Sequence, residues 1–135
     1  MRVKQTGRSE SGASAVEFAL LLPVLMIVLF GIIEFGLALY QQAILTNASR
    51  EGARLGIVQS VPAITTAQIN DAIDNYLTPA GITPASVSRT IVAGGATGTP
   101  VTVTLTLPYT FSVLPGITSV APQINLNAWT TMRHE

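Results

Sequence analysis

Few residues in this chain could do chemistry, and their spacing points to processing and packing rather than to turnover. His134 is the single histidine and stands next to the last residue. There is no cysteine, which excludes disulfides, thiol catalysis and cysteine-held zinc. Asp71 and Asp74 share the polar side of an expected helix with no histidine or third acid beside them, the pattern of a solvated face and not of a metal site. The serines have no neighbouring base. Neither catalysis nor a cofactor, metal or small-molecule substrate is expected. One arrangement stands apart. Gly12 is followed by the small or apolar Ala13, Ser14, Ala15 and Val16, then by Glu17 and Phe18, and then by an unbroken apolar run. Glycine lacks a Cβ and leaves an exposed, extended peptide that a protease can grip. A cut between Gly12 and Ala13 would remove a short basic leader and keep the apolar segment. The new amine would stand close in sequence to the Glu17 carboxylate. Pairing of Glu17 with such an amine, its own or that of a neighbouring subunit, would set the register of packed helices, because charges attract strongly at low dielectric. The same acid could instead sit solvated at the level of lipid headgroups.

The element that must position these residues is the segment Phe18 to Ile33, which carries no charge. As a helix it is about 24 Å long, and with its apolar extensions over residues 13–40 it reaches about 42 Å, enough to span a hydrocarbon core of about 30 Å. Arg2, Lys4 and Arg8 precede it, while the next basic residues are Arg50 and Arg54, so the N-terminus is expected on the cytoplasmic side. Pro23 removes a backbone donor and should bend the helix locally. Glu34 falls at the outer end of the run and is expected to mark the membrane boundary. An ordinary secretory signal would have a shorter apolar region with a small-x-small site after it, and none is evident in Phe35 to Gln42.

Charge is sparse everywhere: 10% of residues are charged against 48% hydrophobic, and the net charge is zero. No basic stripe could neutralise a run of phosphates, so nucleic acid is not an expected partner.

Beyond the apolar segment the periodicity predicts an outer domain. Tyr40, Ile44, Ala48, Leu55 and Val58 recur at helical steps and suggest that the first helix continues as an amphipathic one. Gly52 and Gly56 either allow a neighbour to approach closely or weaken the helix end. A second helix is expected over Thr66 to Leu77, capped by Thr65 or Thr66 and stopped by Pro79 and Gly81. After Ala85 the period becomes two. Strands are expected over Val87 to Val92, over Val101 to Leu107 with Pro108 ending the alternation, and from Ile124 to near Met132, with Trp129 facing away from the core. Gly94-Gly95 is a hairpin signal, and Pro115-Gly116 and Pro122 mark a longer loop. The fold class is therefore α+β: a long N-terminal helix, a short second helix and a small antiparallel sheet of about three strands. The organisation is a basic leader over residues 1–12, a membrane helix over 13–40 and an extracytoplasmic domain over 41–135.

Gly12, Glu17 and Phe18 together resemble the prepilin processing signature. From Gly12 to Arg54 the chain resembles the TadE-like family. The resemblance is carried by Ala15-Val16-Glu17-Phe18-Ala19-Leu20, Pro23, Ile33-Glu34-Phe35-Gly36, and Asn47-Ala48 leading to Arg50-Glu51-Gly52-Ala53-Arg54. It implies a pilin-like protein of the bacterial inner membrane, cut after Gly12 by a prepilin peptidase. Such a protein packs through its N-terminal helix with other pilin or pseudopilin subunits in tight-adherence (Flp) pilus assembly. Phe18 stands where major pilins of that system carry tyrosine, which implies a minor role. The alternative is an uncleaved, signal-anchored binding module.

Overall fold

The computed structural model describes residues 9–60, 62–92, 98–112 and 123–133. Helix α1 runs unbroken over Ser9–Gly56, 48 residues, and is followed by helix α2 over Thr66–Leu77. Short 3₁₀ turns at Thr78–Ala80 and Pro84–Ser86 lead into strands β1 (Ser88–Val92), β2 (Pro100–Tyr109) and β3 (Ile124–Arg133). The strands form one antiparallel sheet in the order β1-β2-β3. The α+β expectation holds, and one helix is long and apolar enough to cross a membrane. The expected hairpin at Gly94-Gly95 and the loop through Pro115-Gly116 and Pro122 lie outside the described residues.

The two halves of α1 obey different physics. Val16, Phe18, Leu20, Leu21, Val24, Leu25 and Ile27 are all more than half exposed, so the first half buries nothing against the rest of the chain. A bare apolar helix satisfies its own backbone hydrogen bonds and is stable in lipid on that account. Packing starts at Glu34, ahead of residue 41, and continues through Ala38, Ile44, Leu45, Ala48, Ser49 and Ala53. The apolar stripe is thus rotated from the expected one. Ile44 and Ala48 are buried and Leu55 is half-buried, but Tyr40 is 58% and Val58 44% exposed.

Small residues explain the rotation, because the closest approach falls along Ser49, Gly52 and Gly56. A Cβ built on Gly52 would meet Ile73 Cγ1 at 2.9 Å, and one on Gly56 would meet Val101 Cγ1 at 2.8 Å. Both α2 and β2 come this near only because α1 offers no side chain there.

Helix α2 has the expected bounds. Thr65 and Gln68 form a capping box: the Gln68 amide donates to Thr65 Oγ1 at 3.3 Å, and the Thr65 amide donates to Gln68 Oε1 at 2.9 Å. Gly81, at φ 78°, terminates the following turn. Ile69, Ile73 and Leu77 enter the core beside Leu45, Val101, Val103 and Leu105. Asp74 is not merely solvated as expected. It pairs with Arg89 of β1 at 2.5 Å, and the Arg89 guanidinium also donates to the Pro84 carbonyl at 3.0 Å.

Strand β2 does not stop at Pro108. It runs on to Tyr109, whose side chain is buried in phase with Val101, Val103, Leu105 and Leu107. Beyond Thr106 the strand is paired on one side only, by β3, which leaves an open edge at the level of Pro108. On the outer face Trp129, opposite Thr104, is 72% exposed.

Candidate functional site in the long helix

Two features of α1 concern function: the exposed N-terminal run and the junction at Glu34. Gly12 and Ala13 lie within the helix, because α1 begins at Ser9. The extended peptide expected at the glycine is therefore not found. Both residues are nonetheless exposed, and a Cβ on Gly12 would meet nothing within 4 Å. Glu17 is exposed, as is Phe18 at 62%. The side chains from Gly12 to Leu29 are available to lipid, to an enzyme or to a neighbouring helix. The helix is continuous through Pro23, whose absent N–H leaves the carbonyl one turn earlier, at Ala19, without its helical donor.

Glu34 is the larger finding. At the end of the apolar run it is 1% exposed, enclosed between α1 and the end of β2. Its Oε1 accepts a hydrogen bond from the Tyr109 hydroxyl at 2.6 Å and another from the Ser112 backbone N–H at 3.0 Å. The Tyr109 hydroxyl also lies 3.3 Å from the Glu34 carbonyl. Phe111 stacks edge-on against Tyr109, with ring centroids 5.6 Å apart and planes at 89°. A buried carboxylate is tolerable only when hydrogen-bonded. Here the partners come from a strand 75 residues away in sequence, so the pair fastens the near end of the sheet to the helix. Farther along the helix, Gln42 Nε2 donates to the Asn127 carbonyl at 2.7 Å, and Ser49 Oγ shares a 2.8 Å hydrogen bond with Thr130 Oγ1. These polar ties hold β3 to the same helix.

Sequence reasoning missed Tyr109 and Ser112. The signal available for Tyr109 was its place in the alternation Val101, Val103, Leu105, Leu107, Tyr109; for Ser112 there was none.

Burial, aided by the Glu34 carboxylate, pushes the Tyr109 phenol from 10.0 up to about 12. A folded-state value above the unfolded one means that the neutral phenol stabilises the fold. That contribution is complete below pH 10 and is lost as the pH rises towards 12. An alkaline unfolding titration should therefore show stability falling across this window, and Tyr109→Phe should remove that part of the pH dependence.

Among the described residues no group of three or more histidine, cysteine or acidic side chains could hold a metal ion. The geometry is that of a bare apolar rod carrying a small domain fastened by one buried acid. No curated protein and no solved structure matches the chain. A family model does: residues 12–54 match TadE, described as TadE-like protein, and the match begins at Gly12 and ends at Arg54. Over this stretch of helix the chain is similar to TadE-like proteins.

Proposed function

We propose that this chain is a minor pseudopilin of a tight-adherence (Flp) pilus system, acting structurally in pilus biogenesis. The observation that carries the reading is the TadE-like match from Gly12 to Arg54, laid over a helix whose apolar half is unburied. That half inserts in the bacterial inner membrane with the N-terminus cytoplasmic and the domain outside. A prepilin peptidase removes residues 1–12, and the product begins at Ala13. Helix-to-helix contact then replaces lipid contact when the subunit joins other pilin or pseudopilin subunits. Glu17, near the new amine, aligns the helices, since two opposite charges in a low dielectric settle at one register.

Co-expression with a prepilin peptidase, followed by N-terminal sequencing of the membrane-extracted product, tests this. The expected sequence starts at Ala13, and Gly12→Val should leave the leader attached because the side chain obstructs the cleavage cleft. In the same assay Glu17→Ala should be inserted and cut but fail to co-assemble. A product that keeps Met1 beside an active peptidase overturns the reading.

One observation favours a second reading, an uncleaved signal-anchored binding module. Trp129 is 72% exposed on a threonine-rich sheet face that also presents Val92, an arrangement suited to recognising a partner outside the cell. That reading requires Glu17→Ala to be without consequence.

A further inference from the structure

The domain elements meet α1 in order of height. Tyr109 and Ser112 meet it at Glu34, Asn127 at Gln42, Thr130 at Ser49, Ile73 at Gly52 and Val101 at Gly56. The end of β2, the start of β3 and the end of α2 therefore lie nearest the bare half of the helix. At the end of α2 a groove separates it from α1, lined by Tyr40, Ile44 and Asn47 on one side and Tyr76, Pro79 and Ala80 on the other.

The charges of the domain avoid this end. Arg50, Glu51 and Arg54 occupy the last turns of α1, about 24 Å or more beyond Glu34. Asp71 and Asp74 precede Tyr76 on α2, Arg89 is tied to Asp74, and Arg133 lies opposite Pro100 at the far end of β3. Residues 75–88, 107–112 and 123–128 contain no Asp, Glu, Lys or Arg. The one acid at this level, Glu34, is buried. An end facing only water would have no reason to exclude charge, since charged side chains favour exposure.

Depth gives the exclusion a cause. A hydrocarbon core of about 30 Å takes about 20 helical residues; the charge-free run Phe18 to Ile33 supplies about 24 Å of it, and Ser14 to Glu17, at its inner edge, supply the rest. Tyr40 then stands about 9 Å farther out, and side chains on a helix lean back towards its N-terminus, which returns the ring to the headgroup layer. Tyr40 is 58% and Tyr76 40% exposed, two amphipathic rings of the kind enriched at the membrane–water interface. Leu37 and Leu39, at 42% and 56%, continue the apolar surface below them.

We infer that this uncharged rim, with Tyr40 and Tyr76 at its centre, seats the outer domain on the headgroup layer of the bilayer that holds α1. The occupant is lipid of neutral headgroup, because the rim offers no cation to attract an anionic one. The inference rests on α1 spanning the membrane.

The absence of cysteine makes the test direct. Full-length chain carrying Val24→Cys, Tyr76→Cys or Arg54→Cys, each labelled with an environment-sensitive dye, is reconstituted in phosphatidylcholine vesicles. Spin-labelled lipids then quench either at mid-chain or at the headgroup. The label at 24 should lose most of its emission to the mid-chain quencher, the label at 76 most of its emission to the headgroup quencher, and the label at 54 should lose little to either. A label at 76 that behaves like the one at 54, while 24 is quenched at depth, overturns the seat and leaves the span standing. It would assign the rim to a protein partner. Failure of the label at 24 to meet the mid-chain quencher overturns the span, and the seat with it.

Discussion

Glu34→Ala is expected to cost the outer domain about 3–5 kcal/mol, since it removes two hydrogen bonds to a buried carboxylate worth about 1.5–3 kcal/mol each. The loss has two parts. The buried Tyr109 hydroxyl keeps only its longer contact to the backbone carbonyl of residue 34, the Ser112 N–H loses its carboxylate acceptor, and a void is left between α1 and the end of β2. A total stability of 5–15 kcal/mol is usual for a domain, so the change consumes much of it. Glu34→Gln should cost less, because the amide oxygen can still accept while the cavity stays filled. Chemical unfolding in detergent gives the magnitude, and hydrogen exchange at the Ser112 amide locates it. If Glu34→Ala leaves both unchanged, the carboxylate does not fasten the sheet. Tyr109→Phe should fall between wild type and the alanine variant, since the Ser112 bond survives.

The second large effect concerns the two glycines. Gly52→Leu and Gly56→Leu should each destabilise by about 3 kcal/mol, the upper end of the cost of overpacking. The neighbours cannot yield easily: Ile73 and Val101 are fully buried, and both are β-branched and stiff at χ1. At Gly52 the intruding atom strikes α2, and at Gly56 it strikes β2 and Ile69 as well, so the outer domain is pried from the helix at both places. Gly→Ala at the same sites should cost less, because a better helix propensity of about 1 kcal/mol offsets part of the clash. Denaturant midpoints of the four variants, with unchanged helix content of the apolar half, would establish the point.

The sequence reveals the elements where their signal is local. The bounds of α2 follow from a capping threonine, a glutamine three residues later, and a proline and glycine after Leu77. Those are short-range contacts, and the structure reproduces them. Strand β2 is legible because valine and leucine alternate with threonine along a half-buried ribbon. What sequence reading places poorly is the angular position of α1's buried stripe. Counting large apolar residues favoured Tyr40 and Val58, whereas the packed line follows the smallest residues, where neighbours come closest. The burial of Glu34 escaped sequence reading for a different reason. An acid at the end of an apolar run looks like a boundary marker until its partner is known, and that partner lies in a strand across the domain. Gly12 and Ala13, proposed for processing, and Glu17 and Phe18, proposed for register, stand on the bare half, where the fold itself makes no use of them.

Helix α1 passes without interruption from its naked half to its packed half, and the buried acid pins the domain just where the two meet. The molecule therefore behaves as a shaft with its head keyed on. Turning the shaft within a bundle of similar shafts turns the head through the same angle. Hauling it outward by one residue's rise, about 1.5 Å, lifts Trp129 and the whole sheet by that amount. No slack separates a movement of the bare half from the movement of the sheet it carries.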